Sequence, residues 1–387
     1  MPYLSNLLNN YSSNYLNIDF TTNVERTRNL FYTRFLAALE ALSYRNKNDN
    51  TVVVITPSFS FPTLTSISAG SISGALRLLD GRILHVPRDE TRLFIYDPST
   101  NVLVTAATVA ATANKFVGAT LMHDGRVFIA AHNVNYSLIY NPLNNTIITP
   151  AGTYPTGTLS NCFGCTTLRN GNIFICPGTG ILTSPPARIY NPITNTLSTP
   201  ALGYPLGQLR GHCVLSDGRI FFTPRTANAI SIYNPFNDTV FTQALTTSFM
   251  DGHQGAVQLK DGRIFMCPHD APYGLIYDPA NQIFATPSFT LASGGNKFLM
   301  PVLLPNGHVL MTPLGAVPNA TIYDPFTDTI YTPNGGFGTS YNAIYLSPNE
   351  VYVCNTNTNQ VPRIVKVTME TLTSKELILS PFFNKSI

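Results

Sequence analysis

A repeat of about 45 residues is the feature that most restricts what this chain can fold into. An Asp-Gly or Asn-Gly turn recurs every 44 to 47 residues, with its glycine at Gly81, Gly125, Gly171, Gly218, Gly262 and Gly307. An Ile-Tyr-Asp/Asn-Pro marker keeps the same period, with its tyrosine at Tyr96, Tyr140, Tyr190, Tyr233, Tyr277 and Tyr323. Because two independent markers share one period, the chain is predicted to be an array of equivalent units.

Each unit is predicted to contain four short strands. In the second unit they are expected at Gly118–Met122, Arg126–Ala130, Tyr136–Tyr140 and Thr146–Thr149. The Asp-Gly turn between the first two apolar runs predicts a hairpin with a type I′ turn, which needs positive φ at both central residues. Four strands in such a period are typical of a β-propeller blade, and no unit has the 3.6-residue period of a helical repeat.

The number of blades follows from both ends of the repeat array. A seventh, degenerate unit follows the other six, with residues 347–350 in place of the turn. The run 50–57 resembles the fourth strands of later units, so we expect it to complete the last blade and remove the open sheet edges. The predicted fold is all-β, a seven-bladed propeller with six blades as the alternative. The repeats start near residues 72, 116, 162, 209, 253, 298 and 341.

A second glycine lies seven residues before each turn glycine, and only Met300 interrupts the series. The members are Gly74, Gly118, Gly164, Gly211 and Gly255. We expect this glycine to open the first strand of its blade, where the missing side chain lets inner strands approach near the axis. A proline six residues after most turns is expected to end the second strand.

The Asp-Gly-Arg-Ile and Ile-Tyr-Asp-Pro runs, with Leu209-Arg210-Gly211-His212, resemble a kelch-type propeller, similar to kelch repeats and to the galactose-oxidase propeller. The resemblance covers about residues 50 to 380. The chain departs from it by having no tryptophan and by lacking the Gly-Gly pair after the second strand. The resemblance implies the fold and not a function, since propellers serve many functions. No segment matches the copper ligands of galactose oxidase.

The segments outside the repeats are expected to be an N-terminal arm with an amphipathic helix at 1–48 and a C-terminal tail at 381–387, around a propeller at 49–380. A capping box at Thr22 and Glu25 predicts the helix start, and the helix is expected to run to about Tyr44. It either packs across one face of the propeller or docks, with the arm, on a neighbouring subunit.

Composition excludes several classes of partner. Charged residues make up 11% of the chain and the net charge is +3, which leaves no basic excess for nucleic acid. No apolar run approaches the roughly 20 residues that cross a bilayer. The first residues lack a secretion-signal pattern, so a virion or the cytoplasm is the expected location rather than the classical secretory route.

The candidate site residues lie in the connections on one face. Asp251, His253, His269 and Asp270 flank the first two strands of the fifth unit, while His132 and Arg225 hold corresponding positions in other units. Two histidines with two carboxylates suit metal binding or acid–base chemistry. The alternative is that they form and solvate turns. No nucleophile or third histidine completes a catalytic set, so no catalytic residue, metal or cofactor is predicted.

Two further sets of polar residues are expected to be structural. Cys162 and Cys165 form a lone CxxC without the second pair that zinc needs, and the cysteines are predicted to be buried free thiols. Arginines follow four of the turns, but an aspartate lies two positions before each of them, so the ring they form is expected to be nearly neutral.

The chain is therefore predicted to be a non-enzymatic structural or protein-interaction subunit of a larger assembly. Its partners would be other protein subunits, bound through the N-terminal arm and a propeller face. Asn- and Thr-rich, Trp-free chains of this kind are similar to propeller proteins of large DNA viruses and phages, which implies a virion or capsid-associated role. The alternatives are a glycan-binding lectin or metal-dependent enzyme using the loop face, and a cytosolic kelch-type adaptor.

Overall fold

A computed structural model describes most of the repeat region. The described residues are 52–57, 72–151, 162–177, 187–200, 209–225, 227, 229–245, 252–292, 294–314, 319–333, 337, 340–347, 350–355 and 363–367. Within these ranges every regular element is a strand, and no helix is long and apolar enough to cross a membrane. The predicted N-terminal helix and both terminal tails lie outside the described residues.

The described strands form seven four-stranded antiparallel sheets. Strand β1 spans Val52–Ile55. Blade 1 holds β2 (Ile72–Arg77), β3 (Ile83–Pro87), β4 (Arg92–Asp97) and β5 (Val102–Thr108). Blade 2 holds β6 (Phe116–Leu121), β7 (Val127–Ala131), β8 (Leu138–Asn141) and β9 (Thr146–Ile148). Blade 3 holds β10 (Cys162–Thr167), β11 (Ile173–Pro177), β12 (Arg188–Asn191) and β13 (Thr196–Ser198).

The second half of the ring repeats this order. Blade 4 holds β14 (Leu209–Val214), β15 (Ile220–Pro224), β16 (Ala229–Asn234) and β17 (Thr239–Ala244). Blade 5 holds β18 (His253–Gln258), β19 (Ile264–Pro268), β20 (Leu275–Asp278) and β21 (Ile283–Ala285). Blade 6 holds β22 (Phe298–Leu303), β23 (Val309–Pro313), β24 (Thr321–Asp324) and β25 (Thr329–Tyr331). Blade 7 holds β26 (Ser340–Ser347), β27 (Glu350–Asn355), β28 (Arg363–Val367) and, as its outer strand, β1.

The ring closes by pairing the two ends of the repeat region. Strand β1 runs antiparallel to β28, with Val52 opposite Val367 and Ile55 opposite Ile364. Val54 packs against the core between blades 6 and 7. The predicted closing strand and the seven-bladed fold are thereby confirmed, and the six-bladed alternative is wrong.

The tight turn between the first two strands of blades 1 to 6 differs from the predicted type. Gly125 has φ of 84°, but Asp124 does not have positive φ. The amide of Gly125 donates to Met122 O at 3.0 Å, and the amide of Met122 donates to Arg126 O at 2.8 Å. These bonds describe a type I turn followed by a left-handed glycine, the usual three-residue hairpin loop. The hairpin was predicted correctly, but its turn type was not. An Asp-Gly pair fits both the two-residue type I′ loop and the three-residue loop with a left-handed glycine.

The axis glycines permit the predicted close approach of neighbouring inner strands, but they lie at a different position in the strand than predicted. They are third in their strands rather than first, at the point where the register shifts in a bulge, as between Phe116 and Ala119. A Cβ built on Gly118, whose φ is 80°, would lie 2.7 Å from the Cα of Gly164 in the next blade. The bulge turns the strand toward its neighbour, and only a residue without a side chain fits there.

Aromatic stacks join adjacent blades. Phe174 of blade 3 stacks on Tyr233 of blade 4 with ring centroids 5.1 Å apart. The Tyr233 hydroxyl donates to Oδ1 of Asp238 at 2.9 Å, and Asp238 has φ of 54° in the following turn. Equivalent stacks join Phe128 to Tyr190, Phe221 to Tyr277, Phe265 to Tyr323 and Tyr352 to Tyr96. The tyrosine marker therefore recurs because it connects blades and anchors a turn.

Near the axis, the side chain of Asn342 in blade 7 joins blade 1 by hydrogen-bonding to the backbone of its inner strand, as a neighbouring strand would. The amide of Asn342 accepts from Ala75 N at 3.0 Å and donates to Ala75 O at 2.9 Å. One side chain thus satisfies both backbone groups of a residue in the neighbouring blade.

Replacing Asn342 by Ala is expected to lower the free energy of unfolding by about 2 to 3 kcal/mol, because Ala75 loses both partners at once. Urea denaturation measures this loss. Asn133→Ala, at an exposed position, is the matched control. A loss below about 0.5 kcal/mol would show that the two bonds do not stabilise the closure.

Candidate functional site

The ring has two ends of different character. The connections from second to third strands and from one blade to the next lie at one end, called here the loop face. The connections from first to second and from third to fourth strands lie at the other end, called the turn face. This follows from the antiparallel order of every sheet.

His253 begins the inner strand of blade 5 and is buried. Its Nε2 lies 3.2 Å from the carbonyl oxygen of Tyr273 in the same blade. Burial lowers the pKa of His253 to about 4, against a weaker opposing effect of the Tyr273 carbonyl. The ring is therefore neutral near pH 7, and it is used to hold a loop of its own blade.

His269 and Asp270 follow the second strand of blade 5 and form a close pair. Nδ1 of His269 lies 3.0 Å from Oδ2 of Asp270. Burial lowers the pKa of His269, with Asp270 opposing it and the positive charges of Arg225 and Arg210 adding to it. Asp270 is further positioned by the backbone N–H of Asn296, which donates to Oδ1 of Asp270 at 2.8 Å.

His132 lies on another part of the loop face. Its Nδ1 lies 2.9 Å from the carbonyl oxygen of Cys162 in blade 3. The ring meets Phe163 edge to face, with centroids 5.0 Å apart. Burial lowers the pKa of His132, and the charges of Arg88 and Arg210 lower it further.

The charge of Arg210 acts on two of these histidines, His132 and His269. Neither Arg210 nor Phe163 was selected as a site residue from the sequence. Its guanidinium carbon lies 5.0 Å from the centroid of the Phe163 ring. It lies close enough to depress the pKa of both His132 and His269, which belong to blades 2 and 5. A signal was present in the sequence, because Arg210 is next to an axis glycine.

The predicted constellation is therefore only partly assembled. His269 and Asp270 lie side by side, and the positive charge of Arg225 acts on the pKa of His269. His253 is bonded within its own blade, and the charge of Arg210 acts on His132. Asp251 lies outside the described residues. Among the residues that the structure describes, no group of three or more His, Cys, Asp and Glu could hold a metal ion.

The six cysteines are free thiols, and five of them are buried. Burial raises the pKa of Cys162 to about 12, so the first cysteine of the CxxC pair is a protonated thiol near neutral pH. Thiolate chemistry is not favoured at such a position.

The arginines of the turn face are paired, as the spacing predicts. Arg82, Arg126, Arg219 and Arg263 each contact the aspartate two residues earlier at 2.6–2.7 Å. Each aspartate also accepts from the amide of its arginine, as Asp124 does from Arg126 at 3.0 Å. The ring of arginines therefore carries no large net charge.

An apolar ring on the same face was missed by the sequence analysis. Its members lie at the turns and are exposed by 74% (Leu79), 91% (Leu143), 89% (Ile193), 62% (Phe236) and 38% (Phe326). Four of them directly follow the proline of the Tyr-Asp/Asn-Pro marker, which is the signal that could have revealed them. Ser99 and Ala280 interrupt the ring at the equivalent positions of blades 1 and 5.

Comparison with known proteins relates the chain to other propellers by fold alone. Virginiamycin B lyase from Staphylococcus aureus is 13% identical with a TM-score of 0.65, over 83% of this chain and 99% of that one. A catalytically inactive His-to-Ala variant of that lyase with quinupristin is 10% identical with a TM-score of 0.66, over 82% and 100%.

A third similar structure is the extracellular domain of a putative hybrid two-component system from B. thetaiotaomicron. It is 13% identical with a TM-score of 0.58, over 84% of this chain and 44% of that one. No protein-family model matches the chain, and no curated protein matches it. The propeller fold is shown by these likenesses, whereas the kelch subtype and the viral resemblance remain predictions.

Proposed function

We propose that this propeller is a non-catalytic structural or protein-interaction subunit of a larger assembly, and that its turn face docks another protein subunit. The observation that carries the proposal is the apolar ring of Leu79, Leu143, Ile193, Phe236 and Phe326. Exposed apolar residues that recur from blade to blade on one face are typical of a protein interface.

The charges beside the apolar ring favour a protein partner. Arg82, Arg126, Arg219 and Arg263 are each paired with an aspartate of their own turn, and Arg169 donates to the carbonyl of Ser216, so a docking surface meets no row of unpaired charges. A nucleic acid or an anionic membrane needs an excess of positive charge, which this face does not offer. An apolar protein surface with a polar rim fits it best.

The turn face is also held rigid from blade to blade. Nη2 of Arg169 donates to Ser216 O at 2.9 Å, and Ser216 N donates to Oε1 of Gln258 at 2.7 Å. Lys260 Nζ donates to Pro305 O at 2.7 Å in the next blade. A surface that is already ordered loses less conformational entropy on binding, which favours a stable complex.

The N-terminal arm and helix at 1–48 are proposed to pin the propeller to a neighbouring subunit, while the turn face provides the broad contact. A virion or capsid-associated setting, with the cytoplasm as the alternative, remains a proposal from sequence resemblance. The lyase and the extracellular domain named above do not bear on it.

Photo-crosslinking tests the turn-face proposal in native material. A crosslinker at position 143 and one at position 193 are expected to capture the same protein subunit, while one at position 133 on the loop face is not. Leu143→Asp with Ile193→Asp is expected to weaken the resulting complex by at least tenfold, because each carboxylate would be desolvated in an apolar interface.

The fold should tolerate these two changes, since both side chains are almost fully exposed and such substitutions cost within about 0.5 kcal/mol. Size-exclusion chromatography with light scattering measures the complex, and Asn133→Asp is the matched control. A native mass equal to a single 42.3 kDa chain, with no shared crosslinked partner, would contradict the proposal.

A second candidate is a glycan-binding lectin or an enzyme that acts from the loop face. The His269–Asp270 pair favours it, because an imidazole beside a carboxylate is a candidate for general base work. In that case His269→Gln would abolish glycan binding or turnover, and the purified protein would contain metal if the chemistry is metal-dependent. Wild-type protein that binds no glycan and carries no metal would remove this candidate.

A further inference from the structure

The chain leaves the last strand of the propeller on the turn face. Strand β28 runs from the loop face toward the turn face, because Lys366 near its end lies opposite Glu350, the residue that begins β27 after the turn from β26. Blade 7 packs against blade 6 on one side and is bonded to blade 1 on the other. The residues that follow Val367 therefore start on the turn face, between blades 6 and 1.

The sequence beyond this point contains an uncharged apolar run. Residues 377–383 read Leu-Ile-Leu-Ser-Pro-Phe-Phe and include no charged side chain. Nine residues, 368–376, separate this run from Val367, and they can span at most about 30 Å. A segment tethered this closely is present at its own turn face at an effective concentration on the order of millimolar, so even a weak contact is occupied.

Exposed apolar side chains lie around the point where the chain leaves. Blades 6, 7 and 1 each carry one toward the turn face: Phe326 is exposed by 38%, Tyr345 by 43% and Leu79 by 74%. Tyr345 lies two residues before the end of β26, the strand that leads into the turn of blade 7. Within the described ranges, no connection on the loop face carries an exposed large apolar side chain. An apolar segment therefore finds its complement on the turn face.

Blades 6 and 7 also lack the ion pairs that cover the other turns near the exit. Where blades 1 and 5 have an aspartate and an arginine around the turn glycine, blade 6 has Asn306 and His308, and the degenerate turn of blade 7 has no arginine. Asn306 and His308 are buried. His308 lies 3.0 Å from the hydroxyl of Tyr331 and 3.6 Å from the carboxylate of Asp324. An uncharged segment over these two blades therefore covers no exposed arginine–aspartate pair, which would be costly to desolvate.

We infer that residues 377–383 fold back onto the turn face of their own propeller and cover Phe326 and Tyr345 over blades 6 and 7. The part of the apolar ring on blades 2 to 4, with Leu143, Ile193 and Phe236, stays open for the partner subunit. The inference goes beyond the proposed function and can fail independently of it, because it concerns a contact within one chain.

Photo-crosslinking in a dilute solution of the purified chain tests this contact. A crosslinker at position 326 is expected to give a product with the mass of one chain, in which mass spectrometry finds position 326 joined to a peptide from 368–387. A crosslinker at position 133 on the loop face is the matched control and should give no such link. A two-chain product joined through this peptide, a link from position 326 to residues 1–48 instead, or no link at all would each overturn the inference.

Charges placed in the apolar run provide a second test. Phe382→Asp with Phe383→Asp is expected to lower the yield of the one-chain link by at least about fivefold, because the new carboxylates would be desolvated against apolar side chains. Thr371→Asp with Thr373→Asp adds the same two charges before the run, and this matched control should keep the wild-type yield. Thermal unfolding confirms that both double variants are folded. Equal yields from the two would overturn the inference, whereas crosslinking at positions 143 and 193 tests only the partner subunit.

Discussion

Deletion of residues 1–57 is expected to lower the Tm by roughly 7 °C, whereas deletion of residues 1–48 leaves it within about 2 °C. The longer deletion removes β1, so the backbone of β28 loses its partner from Val52 through Ile55. It also uncovers the core between blades 6 and 7 where Val54 packs. Lost ladder bonds and lost apolar burial together cost about 5 kcal/mol.

The two deletions form a matched pair, because both remove the N-terminal arm and only one removes the closing strand. Differential scanning calorimetry and light scattering measure the result. The longer deletion should also aggregate, since β28 becomes an open edge strand. Equal Tm values for the two proteins would show that β1 does not close the ring in solution. Unchanged assembly of the 1–48 deletion would contradict the proposed role of the arm.

Mild acid is expected to destabilise the propeller, and His85 should account for a large part of the effect. His85 of blade 1 is buried, and its Nε2 lies 2.8 Å from the hydroxyl oxygen of Tyr352 in blade 7. Burial lowers the pKa of His85 to about 3, with a smaller opposing contribution from the backbone of Phe94. Burial also lowers the pKa values of His212 and His253 to about 4.

The sign of the effect follows from where the protons bind. These rings stay neutral in the folded protein, while the unfolded chain takes up protons below the ordinary histidine pKa of about 6.5. Stability is therefore fully present above that value and is lost as the pH falls toward the folded pKa values. His85 alone should remove about 2 kcal/mol between pH 6.5 and 4.5.

Urea denaturation at several pH values measures this dependence. The double variant His85→Phe with Tyr352→Phe removes both partners, so that no buried hydroxyl is left alone. It is expected to lose stability less steeply than wild type between pH 6.5 and 4.5, whatever its stability at pH 7. An unchanged slope would show that His85 is not buried and neutral in the folded protein.

Much of the fold could be predicted because the repeat presents each local signal several times. The hairpin at Gly125, the second-strand prolines and the closing strand were all readable from one chain. The turn type at Asp124 was not, because an Asp-Gly pair is compatible with two hairpin loops that differ in the φ of the aspartate. The axis glycines were correctly predicted to allow close approach of inner strands, but their position in the strand was wrong. They lie at a β-bulge, and an apolar run does not show where a bulge occurs.

The candidate site was harder to predict, because its residues are brought together across blades. His269 and Asp270 are neighbours in sequence, and their pairing was within reach. The contact of Arg210 with Phe163 was not, since these two residues belong to different blades. The exposed apolar ring was also missed, because an apolar residue after proline in a turn does not reveal how far it protrudes.

The amino-acid sequence by itself determined that the chain forms a ring of four-stranded blades, because hairpin turns and strand patterns are local and depend on adjacent residues. It also determined that four of the turn arginines are neutralised, since each of the four has an aspartate within its own turn. Only the tertiary structure decided that Asn342 completes the contact between blades 7 and 1, and that Arg210 lies near histidines of two other blades. These contacts join residues far apart in the chain, and their geometry is set by the curvature of the closed ring.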